Sequence, residues 1–509
     1  MPPVRPRIAL WTGLGLAVAV LSAPTPEGLS SEAQRLAAIT LLMACWWIGE
    51  ALPMAATSLV PLAAFPLLGI ASAPEVSAHY GDPVVFLFLG AFLIALAMER
   101  WGLHRRIGLA LVGLLGSSPR RLVLGFLVAT AVLSMWMNNT AATLMMIPVG
   151  ISVVEHLASG ASVVGLDSES ASRAVEQRLG APLVLGIAWG ASIGGMSTLV
   201  GTAPNLILAG AVRELVAGSP SIGFLPWMAV GLPIAALLLA AAWPILLHLV
   251  PDGPLAGLRL GAESRATVAT ERKRLGPMSQ GEWRVLVAFA SAALLWIFRA
   301  PLDLGVLRVP GWSAWLADPR AVGDATVAVG VGLLLFVFSA EGLAAPPGKR
   351  APLLDWATVA QKLPWGVLLL MGGGFALAGG FESTGLASWL AGRLRALAGA
   401  PLPAVVGGVS LAATALSELA SNTATATLLM PVLAATAAAV GAPPLVLMIP
   451  AALAASCGFA LPIATPPNAI AFGTGWISLP RMALAGLVLD AVGIVVIAAV
   501  GLVLVPRIF

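Results

Sequence analysis

The stretch S-N-T-A-T-A-T-L-L-M-P-V at residues 421–432 sets Ser421, Asn422, Thr423, Thr425 and Thr427 in a row inside an otherwise oily chain. A near-copy, N-N-T-A-A-T-L-M-M-I-P-V, stands at 138–149. The surroundings are Leu, Ala, Val and Gly. The chain of 509 residues is 59% hydrophobic and 10% charged, and its mean hydropathy is +0.97. Soluble domains carry about 25% charged residues, so this composition reads as an all-α polytopic membrane protein, in contact with lipid along most of its length. Cys45 and Cys457 give no disulfide framework and no metal spacing, and His79, His104, His156 and His248 are scattered. A net charge of +4 does not suggest nucleic acid.

Apolar runs long enough to cross ~30 Å of hydrocarbon predict about 11 transmembrane helices, near 7–24, 34–54, 57–72, 84–103, 181–216, 225–250, 283–300, 321–340, 364–388, 444–477 and 480–507. Two apolar stretches remain, 122–157 and 402–440, each with a polar patch near its middle. Each is too long for one helix and reads as a re-entrant hairpin. With a cytoplasmic N-terminus and two such hairpins, 19 of the 27 Lys and Arg residues fall on one side, Arg5, Arg173, Arg259 and Arg265 among them. That bias is the positive-inside pattern. The expected organisation is an anchor helix in 1–33, a first repeat over 34–251, a hydrophilic cytoplasmic linker at 252–282 and a second repeat over 283–509.

The halves match directly. Gly90/Gly373, Phe92/Phe375, Ala95/Ala378, Glu99/Glu382, Gly102/Gly385 and Leu103/Leu386 align at an offset of 283, and so do Ser134/Ser417, Asn139/Asn422, Thr140/Thr423, Pro148/Pro431 and Val149/Val432. G-T-A-P-N at 201–205 and A-T-P-P-N at 464–468 align at 263, which assigns the first half 20 extra residues within the polar segment 158–180. Five predicted crossings separate matched elements, so the second copy is expected upside-down. Inverted repeats of this kind mark secondary transporters, whose site lies at the repeat interface.

A hairpin tip and a proline-broken helix both expose backbone groups, which hydrocarbon tolerates only if they are satisfied or line a wet cavity. The tip residues would serve simply as helix N-caps, and a single Pro-Asn kink as an ordinary bend. Duplication of both motifs favours a pseudo-symmetric site instead. Carbonyls freed near Gly201 and Ala464, with Asn, Ser and Thr oxygens, are hard neutral ligands suited to Na⁺. Helix N-termini after the breaks suit an anion. No Lys or Arg falls within the four motifs, so a bound anion would need cations to offset it. Glu99 and Glu382 lie near helix ends, where an interfacial role weighs as heavily as transport; Glu50 and Glu418 are further acids near helix ends or tips.

W-W-I-G-E-A-L-P at 46–53, A-L-A-M-E-R-W-G-L-H-R-R-I at 95–107, the paired tips and the T-x-P-N loops together resemble the divalent-anion:sodium symporter family over nearly the whole chain. The resemblance implies a homodimer with scaffold and elevator-type transport domains, in a cell membrane, coupled to Na⁺ with no organic cofactor. It implies a first Na⁺ site at Ser134, Asn138, Asn139, Thr198 and Gly201, and a second at Ser417, Asn422 and Ala464. It implies substrate contacts at Asn139, Thr140, Thr202, Ser421, Asn422, Thr423, Thr465 and Pro466. Asn138 replaces the family's Ser at the first tip, and Ala203 replaces Pro in the first loop. The expected function is Na⁺-coupled symport of C4-dicarboxylates (succinate, malate or fumarate). The alternatives are Na⁺-independent exchange, Na⁺-coupled sulfate or tricarboxylate transport and, from another class, an anion channel or an intramembrane enzyme. An enzyme is disfavoured because no nucleophile–base pair or metal set stands in the membrane segments.

Overall fold

A computed structural model of the chain describes residues 4–115, 118–159, 175–216, 218, 222–251, 253, 270, 272–303, 308–319, 321–345, 348–394 and 399–509. The described chain is helical almost throughout; the exceptions are two antiparallel ladders of two-residue strands, Leu302–Asp303 with Arg308–Val309 and Ser339–Ala340 with Ala351–Pro352. Residues 160–174 of the proposed insertion and 254–269 of the linker, with Arg173, Arg259 and Arg265, lie outside the described residues.

The first half begins with α1 (Val4–Ser22) and α2 (Ser31–Ile48). The run 57–72, expected as one crossing, holds the short helix α4 (Val60–Leu68), which follows α3 (Met54–Thr57) after two residues and is stopped by left-handed Gly69. The short α5 (Ala73–Tyr80) leads through Gly81 to α6 (Pro83–Arg100), where Asp82 caps Val84 N–H at 2.7 Å. Next comes a helix that run-length reading misses, α7 (Leu103–Leu115). Its 13 residues are too short and too charged at Arg105 and Arg106 to read as a span, yet one face is buried through Leu103, Gly108, Leu109 and Val112.

Polar caps set the next starts: Ser118 opens α8 (Pro119–Ser134), and Asn138 opens α9 (Asn139–Ser159). Then follow α10 (Ala181–Met196), α11 (Ala203–Leu215) and α12 (Phe224–His248). In the second half a Ser279/Glu282 capping box starts α13 (Gln280–Ile297), so this helix begins inside the expected linker. Arg106 holds Glu282 at 2.6 Å and ties that junction to α7. The remaining helices are α14 (Asp324–Val337), α15 (Trp356–Lys362), α16 (Trp365–Ser383), α17 (Leu386–Arg393), α18 (Leu402–Leu419), α19 (Asn422–Val440), α20 (Pro444–Ala454), α21 (Pro466–Gly473) and α22 (Leu479–Ile508).

Among the described residues eight helical stretches are long and apolar enough to cross a membrane, and shorter apolar helices accompany them. The matched glycines repeat their backbone: Gly102 (φ 74°) and Gly385 (φ 76°) are both left-handed and each launches a short helix, α7 and α17. Glu99 pairs with Lys362 at 2.5 Å at the end of α6. Nearby Asp355 caps Thr358 N–H and meets Arg100; that backbone N–H first, then the Thr358 hydroxyl and the guanidinium, hold its carboxyl below the ordinary carboxylate range.

The core centres on α10, whose sixteen residues are all buried. It packs flush on α8 because it carries glycines where the backbones meet. A Cβ on Gly194 would lie 2.1 Å from the Ala131 carbonyl oxygen, and one on Gly190 2.3 Å from that of Leu127. Small residues permit this approach where lipid supplies no hydrophobic drive. Gly194→Ala is therefore expected to destabilise the purified protein by about 1–3 kcal/mol through overpacking. Gly407→Ala, where an added Cβ meets nothing within 4 Å, should change the melting temperature little or raise it. Thermal unfolding in detergent checks both.

Candidate transport site

Two helices are interrupted, and the interruptions are built alike. Residues 197–202 separate α10 from α11, and 455–465 separate α20 from α21. At the end of each gap a threonine is extended, Thr202 at φ −145°, ψ 148° and Thr465 at φ −140°, ψ 147°. A proline in the first turn follows in both, so Pro204 suffices to start α11 although Ala203 stands where Pro466 does.

The carbonyls that a broken helix exposes are taken up by the asparagine of each T-x-P-N loop. Asn205 Nδ2 donates to Gly195 O at 3.1 Å and Thr198 O at 2.8 Å. Asn468 Nδ2 donates to Gly458 O at 2.8 Å and Leu461 O at 3.0 Å. All four carbonyls keep the 263-residue offset. These four carbonyls already accept from an amide, and the Gly201 and Ala464 carbonyls expected at an ion are not among them. Two carbonyls on one amide nitrogen also fix its orientation, and Asn205 Oδ1 and Asn468 Oδ1 are left buried without a partner.

The tips repeat as well. Ser134 Oγ donates to Asn139 Oδ1 at 2.8 Å, and Ser417 Oγ lies 2.7 Å from Asn422 Oδ1 and 2.6 Å from Ala455 O. The non-identical pair Asn138 and Ser421 differs in use. Asn138 Oδ1 accepts from Ala141 N–H at 2.9 Å and so caps α9, whereas Ser421 caps α19 by backbone geometry with no side-chain bond. The side-chain oxygen of Asn138 is thus engaged by its own helix, unlike that of Ser421. Thr198 Oγ1 reaches Met135 O at 2.5 Å and ties the first tip to the first break.

Both tips and both breaks close on one cavity of about 600 Å³. Asn139, Thr140, Thr202, Ser421, Asn422, Thr423, Thr465 and Pro466, expected at the substrate, all line it. Of the expected ion set, Asn138, Asn139, Gly201, Asn422 and Ala464 line it too, and Ser134, Thr198 and Ser417 are buried behind the surface. The N-termini of α9, α11, α19 and α21 open at this cavity, through Asn139, Ala203, Asn422 and Pro466. The positive ends of their dipoles point at it without a basic side chain, although Pro466 and Pro467 carry no N–H and Asn468 N–H is bonded to Thr465 Oγ1, and no Lys or Arg is among its described lining residues.

Sequence reasoning missed other parts of the wall: Met54, Phe88, Phe92 and Val367. They look like ordinary apolar span residues, so nothing in the sequence sets them apart. Glu50 also lines the cavity and is the one described non-glycine residue with positive φ, at 50°; an acid beside Gly49 in an oily run was its signal. A second cavity of about 450 Å³, between α13 and α14, has mostly apolar walls and holds none of the paired motifs.

A helical membrane protein whose duplicated helix breaks and tips enclose one polar chamber has the architecture of a secondary transporter. The chain belongs to the sodium:sulfate symporter family: the family model described as "Sodium:sulfate symporter transmembrane region" matches residues 8–506. Among relatives, it is 40% identical over 499 residues to the sodium-dependent dicarboxylate transporter SdcS of Staphylococcus saprophyticus, covering 98% of this chain and 91% of that one. It is 39% identical to SdcS of Staphylococcus aureus, covering 93% and 86%. The crystal structure of the Alcanivorax borkumensis YdaH transporter matches 98% of both chains with a TM-score of 0.54 at 16% identity, a likeness of fold. The resemblance read from the motifs therefore holds, and the chain is a multi-pass membrane transporter and not an enzyme.

The plug asparagines give a direct test. Asn468→Ala leaves the Gly458 carbonyl without this donor and the Leu461 carbonyl with the Ala464 N–H alone, at about 1–3 kcal/mol for a buried group left unsatisfied. Asn468→Asp keeps the shape but sets oxygen against oxygen. Both should lower the melting temperature, the aspartate variant more, and the same order is expected at Asn205.

Proposed function

We propose that the protein is a Na⁺-coupled symporter of C4-dicarboxylates such as succinate, malate and fumarate. The observation that carries the reading is the convergence of four helix N-termini and the paired Ser/Asn/Thr motifs on one cavity without basic side chains. A dianion placed there meets N–H and hydroxyl donors of Asn139, Thr140 and Thr202 from the first half and of Ser421, Asn422, Thr423 and Thr465 from the second, with Pro466 as an apolar contact in the wall. Four helix ends, equivalent to roughly half a charge each at full strength, at most equal the dianion's two charges, and bound cations add to the balance. Oxygen clusters in and behind the cavity wall suit Na⁺: Ser134, Asn138, Asn139, Thr198 and Gly201 on one side, and Ser417, Asn422 and Ala464 on the other. The names of the relatives, sodium-dependent dicarboxylate transporters, support the pairing of ion and substrate.

In this reading the halves 34–251 and 283–509 are inverted repeats, 122–157 and 402–440 are re-entrant hairpins, and the N-terminus is cytoplasmic in the cell membrane. The chain works as a homodimer whose transport domain, carrying tips and breaks, moves as an elevator against a scaffold. The duplicated bonds Ser134–Asn139 and Ser417–Asn422 support the repeat. Sulfate is the second reading, because the family description names it and a lining of small hydroxyls and amides accepts its oxygens.

Reconstituted liposomes decide between these. Labelled succinate uptake should depend on an inward Na⁺ gradient, and excess succinate should compete more strongly than sulfate or citrate. Uptake indifferent to Na⁺ but driven by internal dicarboxylate would identify an exchanger, and stronger competition by sulfate would reassign the substrate. Ser421→Ala and Thr423→Val should each raise the succinate KM by about tenfold, the loss of one hydrogen bond to a charged group.

A further inference from the structure

A further polar cavity, of about 380 Å³, adjoins the transport cavity along the same helices. Val84, Leu87, Leu199, Arg213, Arg299 and Asp324 are among its walls. Leu87 and Phe88 are chain neighbours yet line different cavities, and Leu199 and Gly201 stand on either side of the same divide. The transport cavity extends the other way, to Val367, just past the Lys362 that meets Glu99 at the far end of α6. The further cavity thus lies toward the Pro83 end of α6, and the transport cavity toward its Arg100 end.

Bonds around this cavity join two groups of helices. α12 packs on α8 and α10, which lead into the first tip and the first break, whereas α14 packs on α6 and α13. Asp82, the cap of α6, is also held by Arg213 of α11, whose Nη1 lies 3.1 Å from Oδ2 and 3.2 Å from Oδ1. His79 Nδ1 of α5 lies 3.5 Å from Oε1 of Glu214, the next residue of α11. Gly379 of α16 makes room for that pair, since an added Cβ would come within 2.6 Å of the imidazole. Asp324, the first residue of α14, accepts from the N–H of Phe224, the first residue of α12, at 3.1 Å, while Arg299 holds its other oxygen. Asp82 and Asp324 are both buried. They stand at the starts of two helices that lie against each other, and each reaches a different helix of the group that carries the first break.

We infer that these contacts form a latch: Asp82 with Arg213, Asp324 with the start of α12, and His79 with Glu214 hold the tip-and-break group against α5, α6 and α14 and keep the transport cavity closed toward the Pro83 end. The inference rests on the moving-domain reading above. A slide of α11 past α6 by one helical turn, about 5.4 Å, breaks every one of these bonds, so the latch must open before the cavity can face the other way. All are positioning residues. None is among the described lining residues of the transport cavity, so they set which way it opens without touching the substrate. The Asp82–Arg213 bond is the firmest grip, being shorter than the His79–Glu214 contact and made to both carboxylate oxygens.

Thiol labelling of the purified full chain reads opening at this end. The probe is Leu87→Cys in a Cys45→Ala background, and the native Cys457, fully buried near the second break, is the internal control. Arg213→Gln removes the guanidinium and leaves Asp82 its cap on Val84 N–H. It should raise the maleimide labelling rate at Leu87→Cys by about tenfold with Cys457 still unlabelled, because loss of a charged hydrogen bond shifts a two-state balance by that much. Asp82→Asn keeps a capping side chain and should do the same, and the double variant should add nothing to either alone. A labelling rate that stays at the parent value in either variant, while Na⁺ with succinate still changes it, overturns the latch and leaves the moving-domain reading intact. A rate that neither the variants nor Na⁺ with succinate alter overturns both. Should Arg213→Gln expose Cys457 as well, Glu214→Gln decides. A rise of about threefold at Leu87→Cys alone supports the latch; an unchanged rate, or equal rises at both cysteines, overturns it.

Discussion

Everything about the site follows from one constraint: a helix interrupted inside an apolar core must still satisfy its backbone. Hydrocarbon offers no water to the carbonyls that a proline strands. Here an asparagine placed one residue past the proline reaches back and bonds two of them, Asn205 in one half and Asn468 in the other. That plug lets the chain stop and restart a helix without unravelling. The restart delivers an electropositive helix end, and two such ends face two more from the hairpin connections. The cavity is in this sense a by-product of backbone bookkeeping carried out four times.

The surrounding packing serves that arrangement. Gly190 and Gly194 let α10 lie against the backbone of α8, which brings the first break beside the first tip. Thr198 then bonds across to Met135. On the other side Glu418 leaves the second tip and holds the N–H groups of the second break. Tip and break are thus joined in each half by a different bond at the same place.

Much of the site was legible in the sequence because its signals are polar residues in an oily chain. The paired offsets of 283 and 263 located both tips and both breaks, and all eight expected substrate residues line one cavity. The expected hairpins, 122–157 and 402–440, differ by at most three residues from the ends of their helices. Less legible was whatever carries no unusual residue type. The helix α7 is short and basic, so a search for long apolar runs passes over it. Phe88, Phe92 and Val367 look like any lipid-facing or core side chain. Within the crossing expected at 57–72 the helix spans only Val60–Leu68, because left-handed Gly69 stops it, a backbone turn that hydropathy does not mark.

What the amino-acid sequence determined alone was the class, the duplication and the polar constellation, since hydropathy and repeated motifs are local properties of the chain. Which oxygens remain available was decided only in three dimensions. Asn138 and Ser421 occupy equivalent positions, yet one caps its helix with its side chain and the other does not. That the carbonyls of Gly195, Thr198, Gly458 and Leu461 accept from Asn205 and Asn468 is visible only in the folded chain. Glu418 and Asp490, 72 residues apart in the chain, meet only because α18 and α22 pack together. A hydrogen bond depends on where the partner is, and for these groups the partner arrives from a distant helix.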